Sequence, residues 1–242
     1  MRSSVLALLF CWSALASAAP TPLRFSAVDS WAMPVAEFKD NRLVGGFVHD
    51  LIERLSQRLD LPTQVQVLPR NRVELALRQG EIDVRCYISP KWIANSGEYL
   101  WSVPLLQQRD LIVARQGTEL LASPETLSGQ SIGTVLGYTY PRLQQLIDQG
   151  AVHRDEARNQ DLVLQKLLAG RYRYAVSNEL ALGWFNRDLP DSDQLIGVAT
   201  LEEEPVSCLV RNDPDLPVQR ILLALLQMKE SGEIDEILSR YR

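Results

Sequence analysis

The side chains with chemistry to offer in this chain are arginines, aromatic rings and hydroxyls near the ends of predicted elements. Arg70 and Arg72 stand two residues apart after an alternating stretch, and guanidiniums so placed could receive an anion or face solvent from the start of a helix. Lys91 is a further cation near them in sequence. Tyr87 and Ser89 follow a short apolar stretch, on a loop where hydroxyl and backbone groups can meet a ligand. Thr139, two residues after Gly137, precedes a predicted helix whose free amides favour an anionic group, and the same hydroxyl suits a simple helix cap. Trp31 sits in the first loop after a strand, placed to stack on a ligand or to fill a core. Glu179 and the run Glu202 to Glu204 read as solvated surface.

Several kinds of chemistry are missing from the pattern. There is no serine, histidine and aspartate arrangement, no glycine loop for phosphates and no paired carboxylate motif. His49 and His153 lie far apart without a cysteine or carboxylate cluster, so neither a metal nor another cofactor is expected. A net charge of -5 gives no support to nucleic-acid binding. At the amino terminus Arg2, the apolar run Val5 to Trp12 and the small residues Ala16 to Ala18 read as a cleavable secretory signal over 1–19. Phe10 before Cys11 is a poor fit to lipoprotein processing, and no stretch is long and apolar enough for an ordinary membrane span. Export leaves Cys86 and Cys208 in an oxidising compartment, either bonded or as two buried thiols.

The elements that must carry these residues follow from periodicity. Val73 to Val84 and Leu162 to Val176 share one plan: an apolar helical stripe, a glycine (Gly80, Gly170), a short bridge and a strand. Two such returns about ninety residues apart predict two α/β lobes with function between them. Strands are predicted at Leu23 to Val28, Thr63 to Pro69 and Ile82 to Tyr87, with a helix striped by Phe47, Leu51, Leu55 and Leu59 after the first of them. Extended segments from Glu98 to Ala114 and from Leu201 to Asp213 read as two crossings between lobes. Between them come the strand Ser131 to Gly137, the helices Tyr140 to Gln149 and Leu162 to Ala169, and the strand beginning at Tyr174. A long amphipathic helix and a shorter one close the chain.

From Gly45 to Tyr241 the order of motifs resembles the family 3 extracellular solute-binding proteins, periplasmic receptors of polar amino-acid importers. The resemblance is carried by GGFVHDLIERLSQRL, QGEIDV, ISPKW, EYLWSVPL, LSGQSIGTVLGYT and LLAGRYRYAVSNE. It implies a two-lobed periplasmic-binding-protein-like fold, each lobe a mostly parallel sheet flanked by helices, joined by a two-strand hinge. Lobe 1 would comprise 20–104 and 205–242, and lobe 2 105–204. It also implies a periplasmic monomer, not an enzyme, that closes on a small polar metabolite and delivers it to an ABC permease or sensor. The alternatives are a cyclohexadienyl-dehydratase-like lyase with Glu179 as general acid, or a partner-binding module without a small ligand. By the family's topology Cys86 and Cys208 fall on adjacent antiparallel strands, which implies their pairing. The family's ligand arginine would fall at Trp92 and its second-lobe aspartate at Asn178, so both charges are missing. Glutamine, histidine, arginine and glutamate are therefore expected to bind weakly or not at all, since a buried zwitterion without counter-charges is costly. Arg70 stands where such proteins usually carry a cleft tryptophan, and Trp31 where they place a stacking aromatic. The implied cleft is Trp31, Arg70, Tyr87, Ser89 and Trp92 facing Thr139 and Asn178.

Overall fold

A computed structural model describes residues 21–121 and 123–242, so the signal expected over 1–19 lies outside the described residues. Leu23–Val28 (β1) leads into a hairpin of Glu37–Lys39 (β2) and Arg42–Gly45 (β3), then the helix Phe47–Leu59 (α1). The predicted stripe of α1 is buried in full, and each such side chain contributes about 1.5–3 kcal/mol. Thr63–Leu68 (β4), Arg70–Arg78 (α2), Val84–Ile88 (β5) and Tyr99–Trp101 (β6) complete the first run. The long strand Leu106–Arg115 (β7) opens a second run of Ser131–Val135 (β8), Pro141–Asp148 (α3), His153–Ala157 (β9), Gln160–Leu168 (α4), Tyr174–Asn178 (β10) and Glu179–Asn186 (α5). Leu195–Arg211 (β11) returns, and Val218–Glu230 (α6) and Glu233–Ser239 (α7) end the chain.

The sheet runs β4-β1-β5-β11-β7-β10-β8-β9, with β6 also on β11. Neighbours are parallel among β4, β1 and β5 and among β10, β8 and β9, whereas β11 is antiparallel to β5 and to β7. The two expected crossings are thus two long paired strands inside one sheet. Gly80 (φ 71°) and Gly170 (φ 74°) adopt the left-handed backbone that the repeated helix-to-strand turn requires. The sequence pattern predicts neither the hairpin nor β9 nor α5. One buried cluster draws its residues from Leu23 to Leu106 and from Val206 to Leu238, and two others from Ile112 to Leu201. Tyr138 packs against all three.

Two buried carboxylates tie the frame together. Asp83 is 2 % exposed and accepts from the backbone N–H of Arg24 (2.9 Å), from Arg24 Nε (2.9 Å) and Nη2 (2.5 Å), and from Arg211 Nη2 (3.1 Å). It thereby joins β1, the turn into β5 and the end of β11. Burial alone would raise its pKa, but these guanidinium contacts hold it below the ordinary aspartate value. Glu204 on β11 is also buried and accepts from Lys91 Nζ (2.5 Å) and Ser89 Oγ (3.4 Å). The reading of Glu202 to Glu204 as a solvated face is therefore corrected at Glu204, because its strand position points it under the loop after β5 rather than at water. Cys86 and Cys208 are disulfide-bonded, clipping β5 to β11.

Candidate functional site

The loops that follow β1, β4 and β5 come together at one edge of the sheet, as the carboxyl ends of parallel strands do. They bring Trp31, Arg70, Tyr87 and Trp92 to one wall of a cavity whose other wall holds Tyr138, Thr139 and Asn178. Six of the seven expected site residues thus meet. The inner cavity is small, ≈ 50 Å³, room for on the order of three to five waters. Arg70, Trp92 and Thr139 also line a larger cavity of ≈ 940 Å³ further out.

Each wall has a local cause. Trp31 is buried and stacks edge-on with Tyr87, ring centroids 6.0 Å apart, so it serves the lobe core and the cavity together. Tyr87 is a non-glycine residue held at φ 58°, a costly conformation that concentrates at functional sites. Its buried hydroxyl makes no hydrogen bond among the described residues, and burial raises its pKa. Arg70 opens α2 with its guanidinium 5.0 Å from the centre of the Tyr138 ring, a cation–π contact that spans the two walls. Ser30 donates to the Tyr138 hydroxyl at 3.5 Å.

Three expectations need amendment. Ser89 does not line the cavity: its hydroxyl donates to Glu204 and accepts from the backbone N–H of Lys91, so it is spent on the loop that carries Trp92. Thr139 is not a helix cap, since α3 begins at Pro141 with Tyr140 at the cap position, and Thr139 lies exposed at the cavity. Asn178 does line the cavity, but its side-chain oxygen caps α5 by accepting from Ala181 N–H at 2.8 Å, which leaves only its amide N–H groups for a ligand. Arg72 is exposed and lines neither cavity. Glu179 is exposed and accepts from Arg109 at 3.2 Å.

Sequence reasoning missed Tyr138, Asp110, Gln108 and Arg85. Asp110 lines the inner cavity from β7, opposite Asn178, and accepts from Gln108 Nε2 at 2.9 Å. Burial, with Glu202 and Glu204 nearby, pushes its carboxyl up to about 6. It restores an acidic group beside the position where Asn178 lacks one. The available signal was an aspartate at the head of the apolar strand run DLIVA.

Among solved structures, an ancestral arginine-binding protein bound to arginine is similar at a TM-score of 0.74 and 23% identity, over 91% of this chain and 97% of that one. A histidine kinase sensor domain with similarity to periplasmic binding proteins gives 0.74 and 18%, over 92% and 96%. A curated relative, the membrane-bound lytic murein transglycosylase F of Shewanella pealeana, is 22% identical over 216 residues, and the match spans 86% of this chain but 44% of that protein. The model of the bacterial extracellular solute-binding proteins, family 3, matches residues 26–242, and the chain belongs to that family.

Proposed function

We propose that this protein is a periplasmic receptor that closes its two lobes on a small polar metabolite and presents the closed form, as a monomer, to an ABC-type importer or a sensor partner. The carrying observation is the cavity between the two runs of the chain, where Arg70 and Trp31 from the first face Tyr138, Thr139 and Asn178 from the second. A ligand touching both walls favours the closed state, and only such differential contact can shift the equilibrium. The Cys86–Cys208 bond fits an oxidising compartment. The family and the likeness to binding proteins support the reading.

A thermal-shift screen of amino acids, polyamines, organic acids and aromatic metabolites tests it, because a ligand that binds only the folded state raises the melting temperature. Arg70→Ala should weaken the hit by about 1.5–3 kcal/mol. Trp31→Ala should weaken it as well. Unchanged affinity in both variants would place these residues outside the site.

The alternative, a lyase on the same scaffold, has one observation in its favour: Asp110, a partly buried acid in the cavity whose pKa is raised to about 6. Glu179, the acid that the family resemblance suggests for this role, lies outside the inner cavity. Turnover of prephenate or arogenate by purified protein would favour the enzyme over the receptor.

A further inference from the structure

Arg85 is the second residue of β5 and is 2 % exposed, among the largest fully buried side chains of the described residues. Among the described residues it forms no salt bridge, and its Nε has no hydrogen-bond partner. A buried charge without a partner is among the costliest arrangements a fold can contain. The like charge of Arg70 acts on it as well, and burial first, then Arg70, lowers its pKa to about 9. Both guanidiniums line the outer cavity of ≈ 940 Å³. The remaining charged groups there are Asp29, Glu74 and Arg158. Glu74 lies 4.0 Å from Arg78, and Asp29 and Arg158 are exposed at the surface. None of the carboxylates bonds to Arg85; Glu74 acts on it only through space, as do Tyr138 and Tyr99, and more weakly than Arg70 does.

We infer that Arg85 and Arg70 together form an anion subsite of the cleft, and that the ligand is a small organic dianion whose charged oxygens these two guanidiniums grip. The inference rests on the receptor reading and names the ligand class of the same site. Guanidinium suits this role because its planar fork matches the spacing of oxygens in a carboxylate or phosphate. A dianion neutralises two guanidiniums at once, which a monocarboxylate cannot do. Dicarboxylates and phosphorylated metabolites share this chemistry.

The test is calorimetric titration of the full mature protein with succinate, inorganic phosphate, acetate, L-arginine and putrescine, for the parent, Arg85→Met and Arg70→Gln. Circular dichroism confirms that each variant is folded, and Arg70→Gln, altered at a partly exposed position, serves if Arg85→Met does not fold. Succinate or phosphate should bind the parent more tightly than acetate, with arginine and putrescine weaker still. Each substitution should weaken the dianion about 10- to 100-fold. Preference for succinate over phosphate would identify paired carboxylates as the ligand group, and the reverse a phosphate. Dianion affinity equal to the parent's in both variants overturns the subsite. Binding of arginine or putrescine alone, abolished by Trp31→Ala and intact in Arg85→Met, overturns the subsite while keeping the receptor reading. Failure of all five compounds to bind the parent contradicts the dianion assignment, and an equally negative wider metabolite screen would then count against the receptor reading too.

Discussion

Asp83 and Arg85 are two residues apart at the head of one strand, both 2 % exposed, and they have opposite surroundings. Asp83 is met by two guanidiniums and a backbone amide from β1 and β11, so every element around it supplies an opposite charge or a donor. Arg85 meets a cavity and another arginine, and its favourable neighbours Tyr138, Glu74 and Tyr99 act on it through space without a bond. Evolution of a fold can bury a charge for architecture only by surrounding it with partners, as at Asp83 and again at Glu204. A buried charge left without one is tolerated where something else completes it. On the receptor reading proposed above, the difference separates a part of the sheet that holds the protein together from a part that would receive a ligand.

The comparison can be broken first at its stable end. Asp83→Ala removes four charge-assisted or backbone hydrogen bonds and should lower the unfolding free energy by about 3–5 kcal/mol in urea titration. Because the carboxylate is held below its ordinary value, its contribution is complete above the unfolded aspartate pKa of 3.8 and fades as pH falls through the folded value. A variant as stable as the parent at neutral pH would make the Asp83 network ornamental.

A smaller effect sharpens the contrast from the cleft side. Asp110 has its pKa raised from 3.8 to about 6, so the folded state holds its proton more tightly than the unfolded chain does. Its ionisation therefore destabilises the fold increasingly as pH rises from about 3.8 to 6, and Asp110→Asn should raise the melting temperature above that window and leave it unchanged below. The gain should be about 2–4 °C for each kcal/mol recovered. A melting-temperature gain that did not change with pH would show that the carboxyl is not strained by burial.

Much of the fold was legible because it rests on local rules. The four-residue stripe of α1 and the glycines Gly80 and Gly170 mark their elements whatever surrounds them. The hairpin of β2 and β3 was also marked, by Asp40 and Asn41, whose left-handed backbones (φ 51° and 56°) make the turn, but its strands are too short for periodicity to register. The cavity lining was legible for Trp31, Arg70 and Tyr87, which stand at or just after the ends of strands. Arg85 was not, because in VRCYI a charged residue could equally face solvent from an edge strand, and only the sheet order places β5 inside, between β1 and β11. Ser89 and Glu204 were misjudged for the same reason: they are joined across 115 residues of sequence, a pairing that no local pattern encodes.

The most direct measurement is urea unfolding of Arg85→Met without added ligand, beside the parent and Asp83→Ala. If Arg85 is a binding group with no structural partner, its replacement by an apolar side chain of similar length should leave stability unchanged or raise it by about 1–4 kcal/mol, while Asp83→Ala falls. A loss in Arg85→Met as large as that of Asp83→Ala would show that Arg85 belongs to the architecture, and the account of the cleft as an anion receptor would be contradicted.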